Sequence, residues 1–181
     1  MRDRNYFWSR FSTQKLALQD FTDFIIDIFP DKLIPGAKKQ HYHEFLPFYI
    51  SSYCDLPTRE EGRVLQALTA LCIQQYYAAQ QTQRENRFTF ACEEILAALE
   101  IDKTNENTAM LWRSFDRLQA VSVSYFDDHS VAFDDLAVTL DLFGHEGSFQ
   151  LLPGFSGICV DNKLERISFS LWSNAFELLR S

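Results

Sequence analysis

The feature that most restricts how this chain can fold is a change of hydrophobic rhythm near residue 87. Before it, residues 58–79 place Val64, Leu65, Leu68, Leu71, Cys72 and Tyr76 on one broad apolar stripe at helical spacing. That helix opens at Thr58-Arg59-Glu60-Glu61, directly after Pro57. This is the pattern of a capping box, in which the threonine and the glutamate satisfy each other's backbone donors. After a polar stretch at 80–86, Phe88-Thr89-Phe90 alternates with period two, as a short strand does. Residues 93–100 then form a short helix with Ile95, Leu96 and Leu99 inward, followed by the polar turn Asp102-Lys103-Thr104-Asn105. A longer helix spans 106–119 with the stripe Thr108, Leu111, Phe115 and Leu118. Val121, Val123 and Tyr125 alternate with serines, Asp127-Asp128-His129-Ser130 makes a tight turn, and Val138, Leu140 and Leu142 alternate again. A chain carrying both periods must build helices and strands into one α+β core.

The flanks extend that core. Residues 1–15 are a basic, aromatic arm with Arg2, Arg4, Arg10, Tyr6, Phe7, Trp8 and Phe11. A helix over 16–29 follows, with Leu18, Phe21, Ile25 and Ile28 on one side and Pro30 as its stop. Residues 31–57 read as a long connection or as an extended strand around 45–53. Beyond the hairpin, 144–157 is a glycine-bearing loop. Ile167, Phe169 and Leu171 mark a last strand, and Ser173 caps a terminal helix to Leu179. The expected division is 1–57 as arm, helix and connection, and 58–181 as the main domain. The 17 phenylalanines predict a Phe-rich core or an aromatic interface.

Several function classes drop out. No glycine-rich phosphate loop, HExxH, GxSxG or nucleophilic cysteine motif is present, so the chain reads as a binding protein without cofactor, not an enzyme. Cys54, Cys72, Cys92 and Cys159 are scattered without a CxxC pair and read as buried, reduced thiols of a cytoplasmic protein. His41 and His43 would share one face of a strand, but no further ligands stand at metal-binding spacing, so no metal is expected. No apolar run is long enough for a membrane span, and the N-terminus is too polar for a secretory signal.

The order helix, strand, short helix, polar turn, longer helix, hairpin is that of a winged helix-turn-helix, whose second helix of the pair enters the DNA major groove. With Leu111, Phe115 and Leu118 turned inward, the 106–119 helix presents Arg113 and Arg117 one turn apart, and arginine can read guanine bidentately. Lys103, Thr104, Asn105 and Asn107 stand at the helix entrance, placed for phosphates or bases. The proposed DNA-binding set is therefore Arg113, Arg117, Lys103, Asn105 and Asn107, with Arg2, Arg4 and Arg10 from the arm.

Residues 88–142 resemble the winged-helix domain of plasmid replication initiators of the theta type, which bind origin repeats. The resemblance is carried by Phe88-Thr89-Phe90, by Glu94-Ile95-Leu96 with Leu99, and above all by Arg113-Ser114-Phe115-Asp116-Arg117-Leu118 running into Val121-Ser122-Val123. Arg166-Ile167-Ser168-Phe169-Ser170-Leu171 and the helix after it are similar to a strand and helix that follow in such proteins. The resemblance implies binding to double-stranded DNA, with Arg113 and Arg117 on the recognition helix and Lys103, Asn105 and Asn107 at its mouth; a homodimer is a separate expectation.

Charge supports a different reading. The net charge is −8, spread as zero over residues 1–83, −2 over 84–119 and −6 over 120–181, where three basic groups face nine acidic ones. An acidic surface repels phosphate and suits a basic protein partner. A protein-interaction module or inhibitor that occupies such a partner is the competing expectation.

Overall fold

The computed structural model describes residues 18–33, 40–42, 48–79, 85–125, 148–161 and 163–180. Helix α1 spans Leu18–Ile28, strands β1 and β2 span Gln40–Tyr42 and Phe48–Ser52, and helix α2 runs Arg59–Ala78. Strand β3 (Phe88–Ala91) leads into α3 (Cys92–Ala98) and α4 (Asn105–Gln119), then β4 (Val121–Tyr125), β5 (Ser148–Gln150), β6 (Ser156–Val160), β7 (Lys163–Phe169) and α5 (Ser173–Arg180). The class is α+β, with two antiparallel sheets ordered β1-β2-β4-β5 and β3-β7-β6.

The capping box at α2 forms as its sequence predicts. The Thr58 side chain accepts from the Glu60 N–H at 3.2 Å, and Glu61 Oε2 accepts from both the N–H and the hydroxyl of Thr58, each at 2.7 Å. Helix α1 packs on α2 at Gly62, where a Cβ would stand 2.8 Å from Ile26 Cγ2, so only glycine lets the two backbones come this close. The buried Thr22 and Thr69 hydroxyls meet at 3.0 Å across the same joint. Helix α3 has half a capping box: Ala91 has no side-chain acceptor, but its N–H donates to Glu94 Oε2 at 2.6 Å.

The phenylalanine content becomes packed rings. Phe88 faces Phe169 and Phe176 at centroid distances of 6.2 and 6.3 Å, while Phe115 joins Phe169 to Phe155 at 6.1 and 5.1 Å. A second group places Trp172 between Phe21 and Phe149 at 4.8 and 5.0 Å. Tilted and offset rings at such separations add to simple burial.

Two expectations change. Strand β4 forms where its alternation predicts, but its described partners are β2 and β5, not a following hairpin strand. The turn at 127–130 and the strand at 138–142 lie outside the described residues. The hairpin that completes the β3 sheet is β6–β7 instead, with β7 in the centre and the turn residue Asp161 at φ 50°, a conformation Asp tolerates. The stretch 144–157, read from sequence as a glycine-bearing loop, contains β5 and the first two residues of β6. The cysteines also differ: Cys72 and Cys92 are buried, Cys54 is half-buried and Cys159 is exposed on β6. Burial pushes the Cys72 thiol up and lifts Cys92 to about 11, so both are poor nucleophiles.

Candidate nucleic-acid interface

Helix α4 is the element that carries the candidate site. Thr104 caps it, accepting from the Asn107 N–H at 3.1 Å, and Leu111, Phe115 and Leu118 bury its inner stripe completely. The opposite wall is the β6–β7 hairpin. Between them lies an open groove of about 820 Å³ lined by residues of α4 and its capping turn, with Lys163, Leu164 and Glu165 from β7.

The joint between the walls is aromatic. Trp112 of α4 lies against Gly157 of β6, where a Cβ would stand 2.3 Å from the indole Cζ3 and 2.8 Å from Leu164 Cδ1. Phe155 closes the same joint, 5.4 Å from Trp112 and 5.1 Å from Phe115. Glycine inside a strand is here a seat for a ring. Behind the hairpin, Arg87 donates to the Gly154 carbonyl at 3.1 Å and to Ser156 Oγ at 3.0 Å, tying the loop before β6 to β3.

The residues singled out from sequence separate into distinct places. Arg113 is exposed, lines the groove and has no acidic partner among the described residues. Arg117 does not share its direction. Its Nη1 donates to Glu61 Oε1 at 2.7 Å, with Asp55 at 3.9 Å, and the Arg117 and Glu61 side chains are only 29% and 4% exposed. Residues four apart on a helix differ by about 40° around the axis. That offset lets the long Arg117 side chain fall toward α2, where a buried carboxylate demands a counter-charge. The expectation that both guanidinium groups reach outward together is therefore corrected.

Lys103 lines the groove within two ion pairs, to Glu165 at 3.3 Å and Glu93 at 3.8 Å; the Glu165 hydrogen bond and charge raise the lysine pKa. Asn105, the first residue of α4, is exposed in the groove. Asn107 turns back, its side-chain amide donating to the Asp102 carbonyl at 2.8 Å, so it braces the capping turn and is not among the groove's lining residues. Arg2, Arg4 and Arg10 lie outside the described residues.

Sequence reasoning missed Lys163 and Trp112. The available signal was Gly157, since an isolated glycine among strand-forming residues marks a close approach. Among the groove's lining side chains, Lys103, Arg113 and Lys163 stand against the single carboxylate of Glu165, a local sign opposite to the chain's net −8. Among the described residues no cluster of metal-ligating side chains occurs, and burial lowers the pKa of His41 on β1; His43 lies outside them. No helix among them is long and apolar enough to cross a membrane.

No protein-family model and no curated protein matches the chain. Solved structures do resemble it. A crystal structure of domains 2 and 3 of RctB superposes with a TM-score of 0.58 at 12% identity, covering 89% of this chain and 62% of that one. A second crystal structure of RctB domains 2-3 gives 0.54 at 14% identity, covering 87% and 58%. The likeness is one of fold, and the chain spans about three fifths of the RctB chains it matches.

Proposed function

We propose that this chain is a winged-helix protein of the replication-initiator kind that binds double-stranded DNA through the groove between α4 and the β6–β7 hairpin. The described elements run α2, β3, α3, α4, β4, β5 and then the β6–β7 hairpin; β4 and β5 belong to the other sheet, so the α3–α4 pair with the hairpin that sets β7 beside β3 supports a winged-helix reading. The shared fold with domains of RctB, a replication initiator, supports the same reading. The observation that carries it is the pairing of Arg113, without an acidic partner among the described residues, on one wall with Lys163 on the other, across an opening at the capped end of α4.

In this arrangement Arg113 reads a base edge or holds a phosphate, while Asn105 and the α4 amino end face the backbone, where a helix dipole favours negative charge. Lys163 contacts the strand nearest the hairpin. The acidic remainder of the surface weakens non-specific attraction, so binding depends on this local cluster. The protein acts by binding in the cytoplasm, not by turnover. Fluorescence anisotropy with a labelled duplex at low salt tests the proposal. Arg113→Ala is expected to weaken binding by about 1–3 kcal/mol while the fold is retained. Unchanged affinity in that variant defeats it.

Glu165 gives a second handle. Lys103 is engaged with a carboxylate that a phosphate must displace. Glu165→Gln is therefore expected to raise duplex affinity several-fold and to steepen the salt dependence by roughly 0.9, the increment of one additional phosphate contact. In a Lys103→Ala background that gain should shrink; an equal gain in both backgrounds would mean the carboxylate acts only through the general field.

A basic protein partner remains the competing occupant, favoured by the −6 charge of residues 120–181. Its signature is the absence of duplex binding at low salt together with a stoichiometric complex that Arg113→Ala leaves intact.

A further inference from the structure

Trp112 contrasts with Trp172, the other tryptophan among the described residues. Trp172 is 3% exposed and enclosed by Phe21 and Phe149 rings, whereas Trp112 leaves 40% of its surface open. A tryptophan needed only to join two elements would be covered, because its large apolar area is the gain. Trp112 is instead fixed from one side and open on the other. Gly157 seats the ring edge, Phe155 leans on it at 51°, and its exposed part lines the groove beside Lys103, Arg113 and Lys163. Fixed aromatic rings among cationic side chains are the components of single-strand binding surfaces, where bases stack on the ring and phosphates follow the charges. A duplex keeps its base faces covered, so an open ring in such a groove serves it little.

We propose that Trp112 is a stacking platform for an unpaired nucleobase, so that the groove holds a melted or single-stranded segment with the adjoining phosphates on Arg113 and Lys163. The proposal deepens the nucleic-acid reading and rests on it. The ring is already held in place by Gly157 and Phe155, so little side-chain freedom is lost when a base lands on it. The chemistry recognised is the π-face of a base, which single-stranded RNA shares; the 2′-hydroxyl is what separates the two sources.

The test uses the full chain with Trp8→Phe, so that Trp112 and the enclosed Trp172 are the remaining indoles. It is titrated at low salt with oligothymidylate and oligouridylate of about 15 nucleotides, an intact duplex, and the same duplex carrying a short thymidine bubble. Oligothymidylate is expected to quench the indole emission. Trp112→Leu, which keeps an apolar side chain at the joint, should abolish that quenching and weaken strand and bubble binding about fivefold or more, with a smaller loss for the intact duplex. Trp112→Phe should retain most of the strand affinity. Equal binding of oligouridylate would assign the site to unpaired bases of either sugar, and weaker binding would assign it to melted DNA. Should Trp112→Leu fail to fold, quenching in the Trp8→Phe chain and the behaviour of Trp112→Phe still decide. Duplex binding without strand binding or quenching overturns the stacking role alone. Binding of neither overturns the nucleic-acid reading as well.

Discussion

Arg117→Ala is expected to lower the unfolding free energy by about 2–3 kcal/mol, measured by urea denaturation, whereas Arg113→Ala should change it by less than about 0.5 kcal/mol. The two arginines share a helix and a residue type, and differ in what surrounds them. Removing Arg117 leaves Glu61 Oε1 without its partner at 2.7 Å in a side chain only 4% exposed. The other oxygen keeps its bonds from Thr58, which limits the loss, and the 29% exposure of Arg117 lets water offset part of it. Arg113 has no described acidic partner and is exposed, so its removal uncovers nothing. Glu61→Ala should be at least as costly, because it also dismantles the α2 capping box. A double-mutant cycle between Glu61 and Arg117 should return a coupling above about 1 kcal/mol. If Arg117→Ala instead leaves stability intact and abolishes DNA affinity, the assignment of Arg117 to the core joint and Arg113 to the interface is reversed.

Gly157→Ala is the second large effect. A methyl group there would overlap the indole of Trp112 at 2.3 Å and Leu164 at 2.8 Å. Both neighbours are side chains, but the ring leans on Phe155, so making room shifts it off its seat toward the groove or parts the hairpin from α4. The expected cost is about 1–3 kcal/mol, typical of overpacking, with a loss of DNA affinity because the two groove walls move apart. In a Trp112→Leu background the same substitution should cost clearly less, since the smaller side chain makes room and only Leu164 is left to shift. Equal costs in both backgrounds would show that the overlap is relieved elsewhere and that this joint does not set the groove.

How much of this was legible in the sequence depends on whether the cause is local. The capping box at Thr58 and Glu61, the apolar stripe of α4 and the alternation of β3 and β4 are written in neighbouring residues, and each element forms where it is expected. Strand partnership is not local. Val121, Val123 and Tyr125 alternate whether the next strand is a hairpin mate or β2, and the pairing with β2 is decided by distant sequence. The hairpin of the β3 sheet was obscured because Ser156-Gly157-Ile158-Cys159-Val160 is a largely exposed edge strand, with neither alternation nor a buried face to betray it. Arg117 was misdirected for the same kind of reason: its partner Glu61 stands 56 positions away. That Arg113, Lys103 and Asn105 lie together on an exposed surface was legible because a capped amphipathic helix exposes its polar face predictably, while Lys163 reaches the groove through the tertiary fold alone.

In the proposed mode of binding a small cationic cluster, and not the acidic whole, meets DNA. The most direct measurement is the slope of log binding constant against log salt concentration for one duplex, compared between the natural chain and Arg113→Ala/Lys163→Ala. A negative slope is expected for the natural chain, flattened by the double substitution by roughly 1.8, two phosphate contacts at about 0.9 each, with affinity falling at every salt concentration. A slope unaltered by the double substitution, or no duplex binding at the lowest salt, would contradict it.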